Sequence, residues 1–394
     1  MQKKKILFVI PGLAIGGAEK SLINVLQVFD YDKYDVDLLL LNDRGVLVRD
    51  VPPQVRRIPL PQNFADFGLE ISRSVPALLR RGKFRLAIAR CLFSWKIAQR
   101  QPVDQTEQQI WKYQSAALRM LPDFYDVAIG YLEKTSIYCI IDNVRAARKL
   151  GFIRTDYTNL KLDRTTDQYY FEKLDYICLN GYKSGEVLAN VFPQFKEKMR
   201  VILNVVSPRL IHKWAGEPLE LDADAPVLVS IGRLQPVKGF DLALKAASLL
   251  KAQQVHFKWW IIGEGPERAR LEQLIGEYKL EQYCILLGEK SNPYPYLKRC
   301  DIYVQTSLFE GRSSTINEAK LMAKPILATN FDSVFELLTH EVDGIIVEKN
   351  PEAIANGIAR LLKDEALRER LVATLQAGQK DIEEQPTALY ELFR

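Results

Sequence analysis

The 394-residue chain has few of the residues that hold metals or cross-links. It has three histidines and five widely spread cysteines, Cys91, Cys139, Cys178, Cys284 and Cys300. No C-x-x-C pair and no His/Cys cluster occurs, so a zinc module or a disulfide framework is not indicated. The expectation is a reducing compartment, no metal and no cofactor. Long apolar runs are also missing. No stretch of eighteen apolar residues exists, and none would span a bilayer as a helix. The start, "MQKKKILFVIPGLAIGG", has the basic residues and apolar run of a secretion signal. The run breaks at Pro11-Gly12, however, and "AEK" follows Gly17, so a strand and a loop are the reading instead. Internal repeats and low-complexity tracts are absent.

What is present suits a soluble globular protein of two domains, with 47% apolar and 26% charged residues. Apolar runs of strand length alternate with amphipathic segments of helix length. The first half predicts strands at Lys5–Ile10, Val36–Leu41, Asp126–Tyr131, Leu150–Thr155 and Tyr176–Asn180. The second predicts Val227–Gly232, Phe257–Gly263, Tyr283–Gly288, Ile302–Thr306, Pro325–Ala328 and Gly344–Val347. Continuous apolar strands fit parallel sheets covered by helices on both faces. The charged, proline-bearing segment Ser207–Pro226 reads as an interdomain linker. The fold class is therefore α/β, with two doubly wound, Rossmann-like parallel-sheet domains facing across a cleft. Ligands of such sheets bind beyond the carboxyl ends of the strands.

Loops in those places carry three candidate sites. In "IPGLAIGGAEKS", Gly16 and Gly17 follow the first strand and open a helix, where an anion is favoured. The spacing is neither G-x-G-x-x-G nor a P-loop, and a tight strand-to-helix turn would look the same. In "IGRLQPVKG", Arg233 and Lys238 flank one turn. A planar guanidinium and a point-charge ammonium together suit a diphosphate, although an ordinary solvated loop stays open. In "FEGRSSTINEAK", Glu310 lies in a loop and Glu318 about two turns into a helix that Ser313 caps. The amides of Gly311, Arg312, Ser313, Ser314 and Thr315 crowd the helix start, a dock for phosphate. A carboxylate beside such a dock suits paired sugar hydroxyls. One acid per sugar with phosphate between them describes a nucleotide sugar, while a plain capped helix is the alternative.

A fourth feature is a lack of acid. Ile71–Val103 holds eight cations, Arg73, Arg80, Arg81, Lys83, Arg85, Arg90, Lys96 and Arg100, and no Asp or Glu. Since the net charge is only +5, the remainder of the chain is acidic. Bulky apolar residues interleave, up to Trp95. Such a mixture fits an interfacial segment on anionic lipid. A solvated basic helix pair would look similar, and no other feature supports a nucleic-acid partner.

Together these motifs resemble the retaining GT-B glycosyltransferases of glycosyltransferase family 4. The resemblance runs through "VLVSIGRLQPVKGFDLAL", "IIGEGPER", "DIYVQTSLFEGRSSTINEAKLMAKPILAT" and "DGIIVE". It implies two Rossmann-like domains, residues 1–206 on the acceptor side and 227–380 on the nucleotide-sugar side, joined by 207–226. Residues 381–394 would form a C-terminal helix crossing back to the first domain. It implies transfer of a hexose or N-acetylhexosamine, from a UDP-sugar by family breadth, to a lipid-linked or polysaccharide hydroxyl. Arg233, Lys238 and Glu310 would then be catalytic. Gly16, Gly17, Gly263, Gly265, Gly288, Gly311, Arg312, Ser313, Ser314, Thr315 and Glu318 would bind the donor. Many relatives carry a histidine after the strand in "DVAIGYLEKTS", where this chain has Tyr131, Leu132 and Glu133. In "FIRTDY", Arg154 stands where relatives have histidine and Asp156 keeps the acid. Glu133, Arg154 and Asp156 are the acceptor-side candidates. The implied setting is cytoplasmic, at the inner face of the membrane. The alternatives are an inactive partner subunit of the same fold and a nucleotide-sugar epimerase.

Overall fold

The structure is a computed structural model. It describes residues 3–394 except 15, 44, 100–102, 119, 156, 161, 220, 222–223, 311–312 and 379–385. The chain forms two compact units, Met1–Val205 with Gln385–Arg394, and Val206–Glu384.

The first unit is built on strands β1 (Lys4–Ile10), β2 (Tyr34–Leu40), β3 (Arg56–Ile58), β4 (Phe124–Gly130), β5 (Arg145–Ile153), β6 (Tyr176–Leu179) and β7 (Met199–Val201). They pair in parallel in the order β3-β2-β1-β4-β5-β6-β7. Ile6 through Ile10 have no exposed surface, which is why the N-terminal apolar run is a central strand. The short edge strands β3, "RRI", and β7, "MRV", escape a sequence search because three residues with charges form no apolar run. The C-terminal helix Thr387–Glu391 packs on this unit. Tyr390 stacks on Tyr34 at 5.1 Å, and Lys4 Nζ donates to the Phe393 carbonyl at 2.7 Å.

The second unit contains β8 (Val227–Ile231), β9 (Lys258–Ile262), β10 (Cys284–Gly288), β11 (Ile302–Gln305), β12 (Ile326–Thr329) and β13 (Ile345–Val347). Their parallel order is β10-β9-β8-β11-β12-β13. The strand order reverses between β1 and β4 in one sheet and between β8 and β11 in the other. Loops leaving those neighbouring strands diverge and open a crevice, which is where doubly wound sheets bind ligands.

One expectation needs correction. Ser207–Pro226 is not simply a linker, because Pro208–Ala215 is a helix of the second unit. The Ser207 hydroxyl accepts from the Leu210 amide, and Pro208 occupies the first turn. This cap and proline are a helix-start signal that the surrounding charge obscured. Leu210, Ile211 and Trp214 are buried.

Candidate active site

The second unit brings most candidates to its switch point. β8 ends in the loop holding Gly232, Arg233 and Lys238, and β11 ends in the loop holding Glu310. Backbone contact fixes the first loop. Gly239 has φ +63°, and a Cβ there would lie 2.1 Å from the Thr306 carbonyl oxygen. Gly263 has φ +148°, and its Cβ would lie 1.9 Å from the Gly232 carbonyl oxygen. Gly265 approaches Leu234 in the same way, so Gly263 and Gly265 hold the Arg233 loop in place through their backbones. Gly288 lies beside the Glu264 carboxylate.

Lys238 and Glu310 meet as an ion pair, Nζ to Oε1 at 2.6 Å, with side chains 25% and 13% exposed. Sequence reasoning gave them different parts of one donor, and the fold makes them a unit. Gln305 Nε2 at 2.9 Å and the Ser307 hydroxyl at 2.7 Å donate to the same Oε1. All three donors converge on one carboxylate oxygen, and Glu310 Oε2 has no hydrogen bond among the described residues. Arg233 is exposed, and its side chain has neither ion pair nor hydrogen bond among the described residues.

The helix Ser314–Leu321 starts as the sequence predicts. The Ser313 hydroxyl accepts from the Ile316 amide and donates to Gln305 Oε1 at 2.8 Å. Ser313 is buried, so its hydroxyl is consumed inside the protein. Ser314 is exposed at the helix start, whereas Thr315 is half-buried next to the Tyr303 phenol. Gly311 and Arg312 lie outside the described residues. Glu318 accepts from the fully buried Tyr294 hydroxyl at 3.1 Å. Burial, then the Glu318 carboxylate, raises the Tyr294 phenol well above its usual range, so it remains a donor. Trp214 stacks on Tyr294 with ring centroids 5.4 Å apart. The helix read as a linker thus supports one of the two acids.

Gln305, Ser307, Tyr294 and Trp214 were not among the sequence candidates. For the first two there was a signal, since polar "QTS" ends an otherwise apolar strand. Tyr294 and Trp214 left none, because their partners are distant in sequence.

Gly16, Gly17, Glu133 and Arg154 belong to the first unit. Gly16 caps the helix Gly17–Gln27, but a Cβ on it would lie 2.2 Å from Glu19 Oε2. The Glu19 carboxylate already occupies this helix start, so an anion would have to displace it. Glu133 and Arg154 are brought together. The buried Glu133 carboxylate accepts from the Arg154 amide at 3.0 Å. The Arg154 guanidinium lies 4.0 Å from the Tyr131 ring centroid. It donates to the Asn204 side-chain oxygen at 2.8 Å and to the Ser21 hydroxyl at 3.1 Å. Asp156 lies outside the described residues. Among those residues, no group of three or more His, Cys, Asp or Glu is placed to hold a metal.

Comparison with known proteins agrees with the fold. The two α/β parallel-sheet units are those of the GT-B fold. An Anabaena HepE structure with UDP and glucose superposes with a TM-score of 0.65 at 19% identity, covering 99% of this chain and 98% of that one. An S. aureus TarM structure, with fondaparinux, alpha-GlcNAc-glycerol and UDP, gives 0.67 at 14% identity, covering 99% and 100%. Residues 216–376 match the family described as glycosyl transferases group 1. The lipopolysaccharide core biosynthesis glycosyltransferase LpsD of Rhizobium meliloti is 33% identical over 205 residues, 50% of this chain and 59% of that protein. A Campylobacter jejuni N-acetylgalactosaminyltransferase, named for a diphospho-undecaprenol acceptor, is 30% identical over 200 residues, 50% of this chain and 53% of that one. The chain spans about half the length of the curated relatives it matches.

Proposed function

We propose that this protein is a retaining glycosyltransferase of the family 4 type. It moves a hexose or N-acetylhexosamine from a nucleotide diphosphate sugar, with UDP favoured, to a hydroxyl of a lipid-linked or polysaccharide acceptor. The observation that carries this is the half-used Glu310 carboxylate. Three protein donors fix Oε1, and Oε2 is left for hydroxyls of the transferred sugar. Arg233 and Lys238 lie on the adjoining loop to receive the diphosphate, and Glu318 takes the ribose. Breaking the sugar–phosphate bond puts negative charge on the departing diphosphate. Arg233, Lys238 and the start of helix Ser314–Leu321 stabilise that charge. A phosphate oxygen takes the acceptor hydroxyl's proton as the new bond forms on the same face of the sugar. No metal is required in this scheme. Glu133, Arg154 and Asp156 serve the acceptor side. The segment 71–103 holds the protein to an anionic membrane on its cytoplasmic face. No helix among the described residues is long and apolar enough to cross the membrane.

The test is a thermal-shift and calorimetric screen against UDP, GDP, ADP and their sugars, followed by donor turnover with and without acceptor lipid extract and with EDTA. The expected result is nucleotide binding and EDTA-insensitive turnover, with Arg233→Ala slowed roughly a hundredfold. Failure to bind any nucleotide would refute the proposal. Tight binding without turnover of any donor would mark the protein as a partner subunit.

A further inference from the structure

The eight cations of Ile71–Val103 are not equivalent once folded. Arg81 pairs with the buried Asp66 carboxylate at 2.7 Å. Arg90 donates to the Leu69 carbonyl at 2.9 Å and the Ser94 hydroxyl at 2.6 Å, and Lys96 donates to Gln109. Arg100 lies outside the described residues. The side chains of Arg73, Arg80, Lys83 and Arg85 have no hydrogen bond or ion pair among the described residues. Two of these four, Lys83 and Arg85, line a groove of about 820 Å³ together with Lys112, Tyr113, Phe84 and Asn63. That volume is in the range of small-ligand pockets, about 300–1,000 Å³. Among the described residues, no acidic side chain lines it.

The groove opens beside an apolar stripe. In the helix Phe84–Ala98, residues Phe84, Ile88, Leu92 and Trp95 recur at intervals of four, four and three, on one face of the helix. They are 63%, 60%, 44% and 56% exposed. The opposite side of the helix buries Leu86, Ala87 and Ala89 in the core, so the stripe is not left over from poor packing.

We infer that this groove is a headgroup site. It takes the phosphate of an anionic phospholipid on Lys83, Arg85 and Lys112, while Phe84, Ile88, Leu92 and Trp95 enter the acyl region. The inference rests on the membrane-bound reading above and assigns its contact point. Charge decides the occupant. A bilayer of anionic lipid supplies negative charge and hydrocarbon side by side, as the patch requires. Two copies docking through the same patch would set their unpaired cations against each other.

Vesicle flotation at low salt is the test, with phosphatidylglycerol in phosphatidylcholine against phosphatidylcholine alone. Two pairs of unpaired cations are compared, Lys83→Gln/Arg85→Gln in the groove and Arg73→Gln/Arg80→Gln outside it. Each cation near an anionic surface is worth about fivefold at most, so diffuse attraction alone would weaken both pairs equally, by about 25-fold or less. The headgroup site predicts a loss at least about tenfold greater for the groove pair than for the outer pair. Ile88→Glu should abolish binding, and the vesicle-induced blue shift of fluorescence should be lost in Trp95→Phe. Melting curves check that each variant is folded. Competition by soluble short-chain phosphatidylglycerol, but not by free glycerol phosphate, identifies the lipid source. Equal losses for the two pairs overturn the groove, and wild-type indifference to anionic vesicles overturns the whole surface. A dimer in solution that Ile88→Glu dissociates would assign the stripe to a second copy instead. UDP calorimetry on the same samples should be unchanged. Absence of UDP binding with vesicle binding intact would refute the enzymatic reading and leave this one standing.

Discussion

Glu318→Gln separates ligand contact from structural support at the candidate nucleotide site. The Glu318 carboxylate accepts from the Tyr294 hydroxyl, a phenol with no exposed surface. Replacement by alanine would remove the charge proposed to hold the ribose and also take an acceptor from a buried donor. Glutamine keeps an oxygen for Tyr294 and loses the charge. A hydrogen bond to a charged group is worth about 1.5–3 kcal/mol, or about ten- to a hundredfold in affinity. Glu318→Gln should therefore weaken UDP binding by up to that amount and leave the melting temperature nearly unchanged. Glu318→Ala should weaken UDP at least as much and also destabilise the unit Val206–Glu384. Loss of a buried donor's bond to a charged acceptor costs about 1–3 kcal/mol, and a unit of that length melts about 2–4 °C lower per kcal/mol. The drop should be roughly 2–12 °C. Tyr294→Phe is the control, with a modest loss of stability and UDP binding largely retained. Titration calorimetry and scanning calorimetry give both quantities. If Glu318→Gln binds UDP, GDP and ADP as the wild type does, Glu318 does not hold the ribose and the assignment fails.

Two further predictions concern the scaffold. Gly263→Ala puts a Cβ 1.9 Å from the Gly232 carbonyl at a positive φ, so it should cost roughly 2–5 kcal/mol and displace the Arg233 loop. Gly17→Ala, with open space around it, should be neutral or slightly stabilising, and equal denaturation midpoints for the two would contradict the packing argument. The third site lies in the first unit, where the buried Asp167 accepts from Tyr138, Tyr157 and Gln108. Burial raises its carboxyl above the usual range, and the hydrogen bonds from Tyr138 and its neighbours pull it back. Tyr138→Phe removes part of that pull and raises it further. A carboxyl raised in the folded state favours folding below its unfolded pKa, and that benefit is lost as pH rises through the folded value. The variant's deficit in urea midpoint should thus be smaller near about pH 4.5 than near about pH 7.5. A deficit independent of pH would show that the carboxyl is not coupled to this phenol.

The sequence by itself determined the class of fold and marked the residues of the candidate site. Continuous apolar runs of strand length fit a parallel sheet covered on both faces, and eleven of the strands were readable within a few residues. Glu310, Arg233 and Lys238 stood out because carboxylates and cations beside glycines in strand-following loops are local patterns. The helix cap at Ser313 was equally local. The tertiary structure decided what depends on partners far apart in the chain. It paired Lys238 with Glu310 across 72 positions and placed Tyr294 under Glu318 and Trp214 under Tyr294. It drew Pro208–Ala215 into the second unit because that helix buries Leu210, Ile211 and Trp214, although its charged surroundings read as a linker. It set Glu19 over the helix start that the glycines had marked for an anion. In the basic segment it divided one uniform run into cations tied to the protein and cations left unpaired. Composition counts charges, but only packing decides which of them a neighbouring carboxylate or carbonyl has already satisfied.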